Sequence, residues 1–275
     1  MKTRWIVQEN LNTDNLGSIC CTLEDLGYPY QLVQIIPFSE EKPLIDPYDG
    51  PTVVYGSTTL IKSVPKEWVW YDEETFKPSV WGKKMGDKYL NVNAEIMPLR
   101  EVLDRWKYSR QFIRPNSDLK LFSGAVFRNG DFFDWYRRLE RLIWTGTYVN
   151  ITLDTMVSVA QFAEINAEWR FFVADGQVLA YSQYRRNGRL DISETVIPQA
   201  YELVCEIASN KWQLASAYVV DVAIINGNSR FIDNEFKVIE FNNFNSSGFY
   251  MCNISNIIKG ASKLAKKEWK NNDDS

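Results

Sequence analysis

Histidine does not occur anywhere in this sequence. That absence removes histidine general bases, histidine-activated nucleophile triads and histidine-containing zinc sites. Any chemistry must run on carboxylates, amides, lysine, arginine, hydroxyls, thiols or a bound cofactor. Cysteine is scarce, at Cys20, Cys21, Cys205 and Cys252, with neither CxxC spacing nor the density of a disulfide framework. The adjacent Cys20 and Cys21 point in different directions on a helix, and the pattern suits packing in a reducing cytosol. A thiol nucleophile stays open, though without its usual histidine activator. No run of 18 apolar residues exists and the first ten residues hold no leader-like apolar stretch, so the expectation is a cytoplasmic protein with no membrane partner. Positive charge is not in excess either: 31 basic against 35 acidic residues give a net −4. That weighs against a protein built to grip a phosphate backbone, although a local basic cleft stays open. A nucleotidyl-transferring polynucleotide ligase needs Lys-x-Asp-Gly. Asp175-Gly176 occurs here, but Val173 stands where the lysine should be.

What the chain has in quantity is aromatic residues, with 10 Trp, 14 Tyr and 15 Phe, most of them read as core volume. Its length allows two lobes. The first stretch reads β-α-β. A strand at Trp5–Val7 leads through cap residues Asn12–Asp14 to a helix with Leu16, Ile19, Cys20, Leu23 and Leu26 on one face; Gly27 ends it. Strands at Gln31–Ile36 and Thr52–Tyr55 complete a small α/β lobe with a parallel sheet, and Gly56-Ser57 turns toward a helix. Residues 66–88 read as an irregular, packed join, followed by a helix over Pro98–Trp106. Strands are then expected at Gln111–Arg114, Lys120–Gly124, Val157–Phe162, Glu168–Val173, Val178–Gln183, Tyr218–Ile225 and Lys237–Phe241. Helices are expected at Phe132–Ile143, Pro198–Lys211 and Ile254–Trp269. The organisation is α+β with a mostly antiparallel sheet in the larger part, divided as 1–88 and 89–275.

The most informative stretch pairs Val-Val-Asp221-Val-Ala with Val-Ile-Glu240-Phe-Asn242-Asn. Glu240 and Asn242 are two apart, so a strand presents them on one side. If the two strands pair antiparallel, Asp221 lies across from them and three oxygen ligands converge. Such a set suits Mg²⁺, a hard cation that keeps positions for phosphate and water. The plainer alternative is a solvated strand face, but the apolar neighbours Val220, Val222, Ile239 and Phe241 demand a partner for any carboxylate placed among them. Asn226-Gly227 is a tight-turn signal that would put Asp221 opposite Ile232 instead. A longer connection is preferred here.

Arg114 ends one strand and Lys120 opens the next; the pair could neutralise triphosphate oxygens or be ordinary surface charges. Glu168 and Arg170 share a strand face, either as half of a cross-strand salt bridge or as contacts to a ribose and a phosphate or substrate. Asn245-Ser-Ser-Gly248 is a small polar loop just beyond the acidic cluster.

Taken in order, Phe-Ile-Arg114-Pro, Lys120-Leu-Phe-Ser-Gly, Glu168-Trp-Arg170-Phe-Phe-Val, Val-Val-Asp221-Val-Ala and Ile-Glu240-Phe-Asn242 resemble the ATP-grasp superfamily, and most closely its R2K clade, frequent in bacteriophages and bacteria. The resemblance spans about residues 90–265. It implies an ATP-grasp fold, two α+β subdomains gripping ATP, preceded by a small α/β pre-ATP-grasp lobe. It implies that Arg114 and Lys120 hold ATP phosphates, that the backbone of Gln161, Phe162 and Ala163 meets adenine, and that Glu168 takes the ribose. Asp221, Glu240 and Asn242 would then hold magnesium, Asp221 and Asn242 belonging also to the nucleotide site, with Arg170 near phosphate or acceptor and Arg114, Lys120 and Arg170 as the catalytic set. The implied activity is ATP- and Mg²⁺-dependent joining of a carboxylate to an amine through an acyl-phosphate, on a peptide, protein or amino acid. The alternative is a non-catalytic nucleotide-binding or interaction module with the same fold. The sequence departs from better-known members in lacking a long Gly-rich phosphate loop and in placing Arg114 where many use lysine.

Overall fold

A computed structural model describes residues 1–11, 15–36, 41–119, 121–147, 149–225 and 235–273. In chain order the elements are β1 (Arg4–Gln8), α1 (Leu16–Asp25), β2 (Tyr30–Val33), β3 (Thr52–Tyr55), α2 (Thr58–Ser63) and α3 (Pro78–Met85). Then come β4 (Glu95–Pro98), β5 (Gln111–Pro115), β6 (Ala125–Phe127), α4 (Asn129–Trp144) and β7 (Met156–Gln161). The last are β8 (Ile165–Ala174), β9 (Gln177–Arg186), β10 (Arg189–Ser193), α5 (Pro198–Ala208), β11 (Ala217–Ile225), β12 (Glu235–Asn242) and α6 (Ile254–Asp273). Contacts group them into two compact units: Met1–Asp72 with Ile165–Phe236 and Glu240–Ser275, and Glu73–Glu164 with Lys237–Ile239.

The first unit holds two sheets. The small one has the order β2-β1-β3 with parallel pairs, as the β-α-β reading expects. The larger runs β10-β9-β8-β11-β12. Two of its hairpins are set by turn chemistry. Asp175-Gly176 (φ 50° and 71°) joins β8 to β9, and Asn187-Gly188 (φ 48° and 74°) joins β9 to β10. Positive φ at both central residues matches the right-handed twist of the strands, and Asp, Asn and Gly reach it cheaply. The second of these signals is the one that marks β10, a strand outside the sequence expectation.

Along β8 and β11 side chains alternate between two faces. Trp169, Phe171, Val173, Tyr218, Val220, Val222 and Ile224 form one, against which α5 packs. On the other, Phe172, Ala174, Ala217 and Val219 join the main core with Trp5, Val7, Ile19, Leu23, Phe244, Phe249, Ile257, Ile258 and Ala261. Each such large apolar side chain contributes about 1.5–3 kcal/mol on burial. The N-terminal strand is fastened to α6 by polar contacts too: Trp5 Nε1 donates to Ser262 Oγ (2.9 Å) and Thr3 Oγ1 to the Ser262 carbonyl (2.9 Å).

The second unit is an antiparallel sheet, β4-β7-β5-β6, with α4 supplying Phe132, Tyr136 and Leu139 to a core with Ile113, Val157 and Val159. Three expectations are corrected here. The helix expected over Pro98–Trp106 is instead the end of β4 followed by a 3-10 turn at Leu99–Glu101. Pro98 is tolerated because β4 is an edge strand, where a missing N–H costs little, and Leu99 and Val102 reach the core from the turn. The strand expected at Lys120–Gly124 begins only at Ala125. A Cβ on Gly124 would lie 2.7 Å from the Phe112 ring, so bare backbone passes over that ring before pairing starts. The join at 66–88 contains α3, with Pro78 at its start and Gly86 (φ 54°) after its end. Proline and glycine there bracket a helix rather than interrupt structure. Trp81 is fully buried, in keeping with a packed segment. The Asn12–Asp14 cap and the Asn226-Gly227 turn lie outside the described residues; β11 ends at Ile225 and β12 begins at Glu235.

Candidate functional site

The face of the large sheet that carries Phe172 and Val219 changes character one step along the strands. Asp221 pairs across from Arg170, and Ala223 from Glu168, so Asp221, Arg170 and Glu168 all project from this face. Arg170 Nε donates to Asp221 Oδ1 (2.9 Å) and Nη2 to Oδ2 (2.8 Å), a two-pronged pair with Asp221 only 1% exposed. Asn242 on β12 donates its Nδ2 to Asp221 Oδ2 (3.1 Å). Glu240, two residues before Asn242 on the same strand, is half-buried on the same side by strand alternation. Arg170 Nη1 also donates to the Gly248 carbonyl (3.3 Å), which leaves part of its donor fork for a ligand.

Two tyrosines complete the surroundings of Arg170. Tyr184 and Tyr250 stack with centroids 5.0 Å apart, and the guanidinium lies 5.5 and 5.1 Å from their ring centres. Loss of water would by itself lower the arginine pKa. Asp221, through its charge and its hydrogen bonds, more than offsets this and holds Arg170 firmly charged. Tyr184 Oη donates to Glu168 Oε2 (2.5 Å), and Arg185 sits 3.5 Å from Glu168 Oε1. Neither Tyr184, Arg185 nor Tyr250 was singled out from sequence. The period-two run Ser182-Gln-Tyr184 could have flagged the first, but nothing local points to Tyr250.

Burial raises the Glu168 pKa above its ordinary 4.5, against the opposing pull of Tyr184 and Arg185. A carboxyl raised in the folded state stabilises fully below its unfolded pKa, and that contribution is lost as pH rises through the folded value. Glu168→Gln keeps an acceptor for Tyr184 and removes the titration. The variant is therefore expected to gain stability relative to wild type as pH rises from 4 to 7. Thermal melts across that range check the sign, and a difference that shrinks with pH refutes it.

The remaining sequence candidates lie in the second unit. Arg114 is on β5, across from Ser158 of β7. Gln161, Phe162 and Ala163 stand at the end of β7, where the Arg110 guanidinium lies 3.8 Å over the Phe162 ring and the Phe162 N–H donates to the Arg110 carbonyl (3.3 Å). Lys120 lies outside the described residues. Asp221, Asn242, Arg170 and Glu168 are thus brought together on one sheet face. Both halves of the plainer reading of Glu168 and Arg170 are also realised, as cross-strand ion pairs with Arg185 and Asp221.

The donor chemistry of this face suits a hard cation. Asn242 turns its N–H₂ group to Asp221, which aims its carbonyl oxygen elsewhere. Asp221 accepts from Arg170 through both carboxylate oxygens and from Asn242 through Oδ2. Every donor is an oxygen, as magnesium requires. Among the described residues no group of three or more Cys, Asp or Glu forms a metal cage by itself, so the amide and the phosphates of a nucleotide would have to complete the shell.

No curated protein sequence matches the chain. Its fold is similar to D-alanine–D-alanine ligase from Bacillus anthracis (TM-score 0.58, 10% identity, covering 99% of each chain). It is similar also to the ATP-grasp ligase PsnB complexed with a minimal precursor (0.57, 14% identity, covering 96% of this chain and 99% of that one). A third such fold is a RimK domain ATP-grasp protein from Sphaerobacter thermophilus (0.55, 12% identity, covering 97% and 98%). The family described as ATP-grasp domain, R2K clade family 2, matches residues 92–259, more than half of the sequence. The chain belongs to the R2K clade of ATP-grasp domain proteins.

Proposed function

We propose that this protein is an ATP- and Mg²⁺-dependent ligase that joins a carboxylate to an amine, acting in the cytoplasm on a peptide, protein or amino acid. The observation that carries this is the buried Arg170–Asp221–Asn242 array, with Glu240 on the same sheet face, in a chain of the ATP-grasp family. The neighbouring folds support it: one joins D-alanine units by its name, and another, PsnB, is a ligase seen with a precursor peptide. In this reading residues 1–88 are the pre-ATP-grasp lobe and 89–275 the ATP-grasp domain.

When bound, ATP and its cation supply the phosphoryl group that activates a carboxylate for attack by an amine. The chain's own residues position and neutralise. Glu240, the Asn242 carbonyl and Asp221 would hold the cation through oxygen, and Arg170 would offer N–H groups to a phosphate or to the activated carboxylate. Glu168 is assigned to the ribose, Arg114 and Lys120 to phosphate oxygens, and the backbone of Gln161, Phe162 and Ala163 to adenine. Cys252, buried and with its thiol pushed up to about 12 mainly by desolvation, has no nucleophilic part. No described helix is long and apolar enough to cross a membrane.

One observation favours a second reading, a nucleotide-binding module without turnover: both Asp221 oxygens are already engaged by Arg170. Calorimetric titration of ATP with and without Mg²⁺, on wild type and Glu240→Gln, separates the two. A ligase site is expected to bind ATP in a Mg²⁺-dependent way, to lose at least tenfold in affinity in the variant, and to release ADP and phosphate with suitable carboxylate–amine pairs. Binding of equal strength without Mg²⁺ points to the module. Absence of binding by well-folded protein sinks both.

A further inference from the structure

Helix α4 buries Phe132, Tyr136 and Leu139 on one side, yet its other side is not an ordinary solvated surface. Trp144 is 87% exposed and Phe133 49% exposed. At 100° per residue, Phe133, Arg137, Glu140 and Trp144 fall within a narrow stripe, away from the core face. Two aromatics therefore stand about 16 Å apart along the helix, with an Arg137–Glu140 pair (2.6 Å) between them. Aromatic residues and arginine are the types enriched at protein–protein interfaces.

The order of these residues is self-complementary. The midpoint between Phe133 and Trp144 is also the midpoint between Arg137 and Glu140. Laying a second α4 antiparallel about a two-fold axis through that point sets Phe133 on the other copy's Trp144 and Arg137 beside its Glu140, each contact made twice. Asp134 and Arg141 flank the stripe on one side. In an antiparallel pair like flanks meet, so Asp134 comes level with the other copy's Arg141 to within about 3 Å along the axis. Among the described residues neither has an ion-pair partner.

We propose that α4 is a homotypic docking surface through which two copies of this chain associate, antiparallel and two-fold symmetric, with Phe133 and Trp144 as anchors and the charges setting the register. A pair of 16-residue helices gives an interface at the small end of the specific range, so the dimer is reversible and concentration-dependent. The proposal is independent of the nucleotide reading, since none of these residues belongs to that site.

Sedimentation equilibrium over a wide concentration range tests it. Wild type is expected to move from monomer to dimer. Trp144→Ala, a change at a side chain with little packing to lose, should weaken association at least tenfold, with folding verified by circular dichroism. Arg137→Glu sets like charges opposite each other and should do the same, whereas Arg137→Glu combined with Glu140→Arg restores complementarity and should restore the dimer. A wild type monomeric throughout overturns the proposal. So does a dimer indifferent to Trp144→Ala, or a charge-swapped double variant that stays monomeric.

Discussion

Asp221→Ala is expected to lower the folding stability of this protein by about 3–5 kcal/mol, because it strands a buried guanidinium. In the folded chain Arg170 lies beside the stacked Tyr184 and Tyr250 rings, and its Nε and Nη2 both donate to the one carboxylate. With Asp221 gone, the Gly248 carbonyl is the acceptor left to it among these contacts, and Asn242 Nδ2 loses its partner as well. At roughly 2–4 °C per kcal/mol for a protein near this size, the melting temperature should fall by about 6–20 °C. The converse variant, Arg170→Met, takes the guanidinium away from a buried carboxylate and should cost a similar amount. Replacing both, with Arg170→Met and Asp221→Leu, removes the charge problem altogether and is expected to be more stable than either single variant. Denaturant titration of the four proteins checks this. Single variants that each lose less than 1 kcal/mol would show that water reaches the pair and that its burial is not what holds it. A practical consequence follows for function. Loss of nucleotide binding in Asp221→Ala would report a disturbed sheet face as readily as a lost metal ligand, whereas Glu240 is half-buried and stands outside the Arg170–Asp221 ion pair.

That pairing also marks where sequence reading stopped. The periodicity of Val219, Val220 and Val222 around Asp221 is enough to place a carboxylate in a buried strand, and burial demands a partner. The partner's identity depends on the register of β8 against β11, and register is set by the whole sheet rather than by local residues. Arg170 is 51 positions away. The motif order was legible because each motif is short and contained in one strand. Tyr184, Tyr250 and the Gly248 carbonyl were not, because their roles come from three separate segments converging. Asn187-Gly188 is as good a hairpin signal as the sequence holds, and it would have revealed β10. At Pro98–Trp106 apolar spacing fits a helix, yet a strand end and a 3-10 turn bury Leu99 and Val102 instead. In 66–88 the composition reads as an irregular join, yet Pro78 first and Gly86 last is the order of helix boundaries.

The largest effect outside the ion pair is expected at Phe172, which sits two residues along β8 from Arg170 on the same face. Its side chain is fully buried, and it meets Phe244 and Phe249 nearly edge-on at 5.4 and 5.2 Å. Those two rings bracket the loop that organises the site. Within it, Asn245 donates to the Val54 carbonyl and accepts from the Trp70 N–H, the Ser247 carbonyl accepts from Tyr55 Oη, and the Gly248 carbonyl accepts from Arg170. Phe172→Ala removes the surface against which both rings pack, and a cavity of that size costs about 3–5 kcal/mol. Phe172→Leu refills most of the space and should cost about 1–1.5 kcal/mol. Because the loop hangs from these rings, the alanine variant should also lose affinity for Mg²⁺-ATP under conditions where it is still fully folded, while the leucine variant retains most of it. Urea titration with an unchanged slope, followed by calorimetry at low temperature, separates the two effects. An alanine variant that is destabilised yet binds nucleotide as wild type would show that Arg170 is held by Asp221 alone, and that the 244–248 loop serves the core rather than the site.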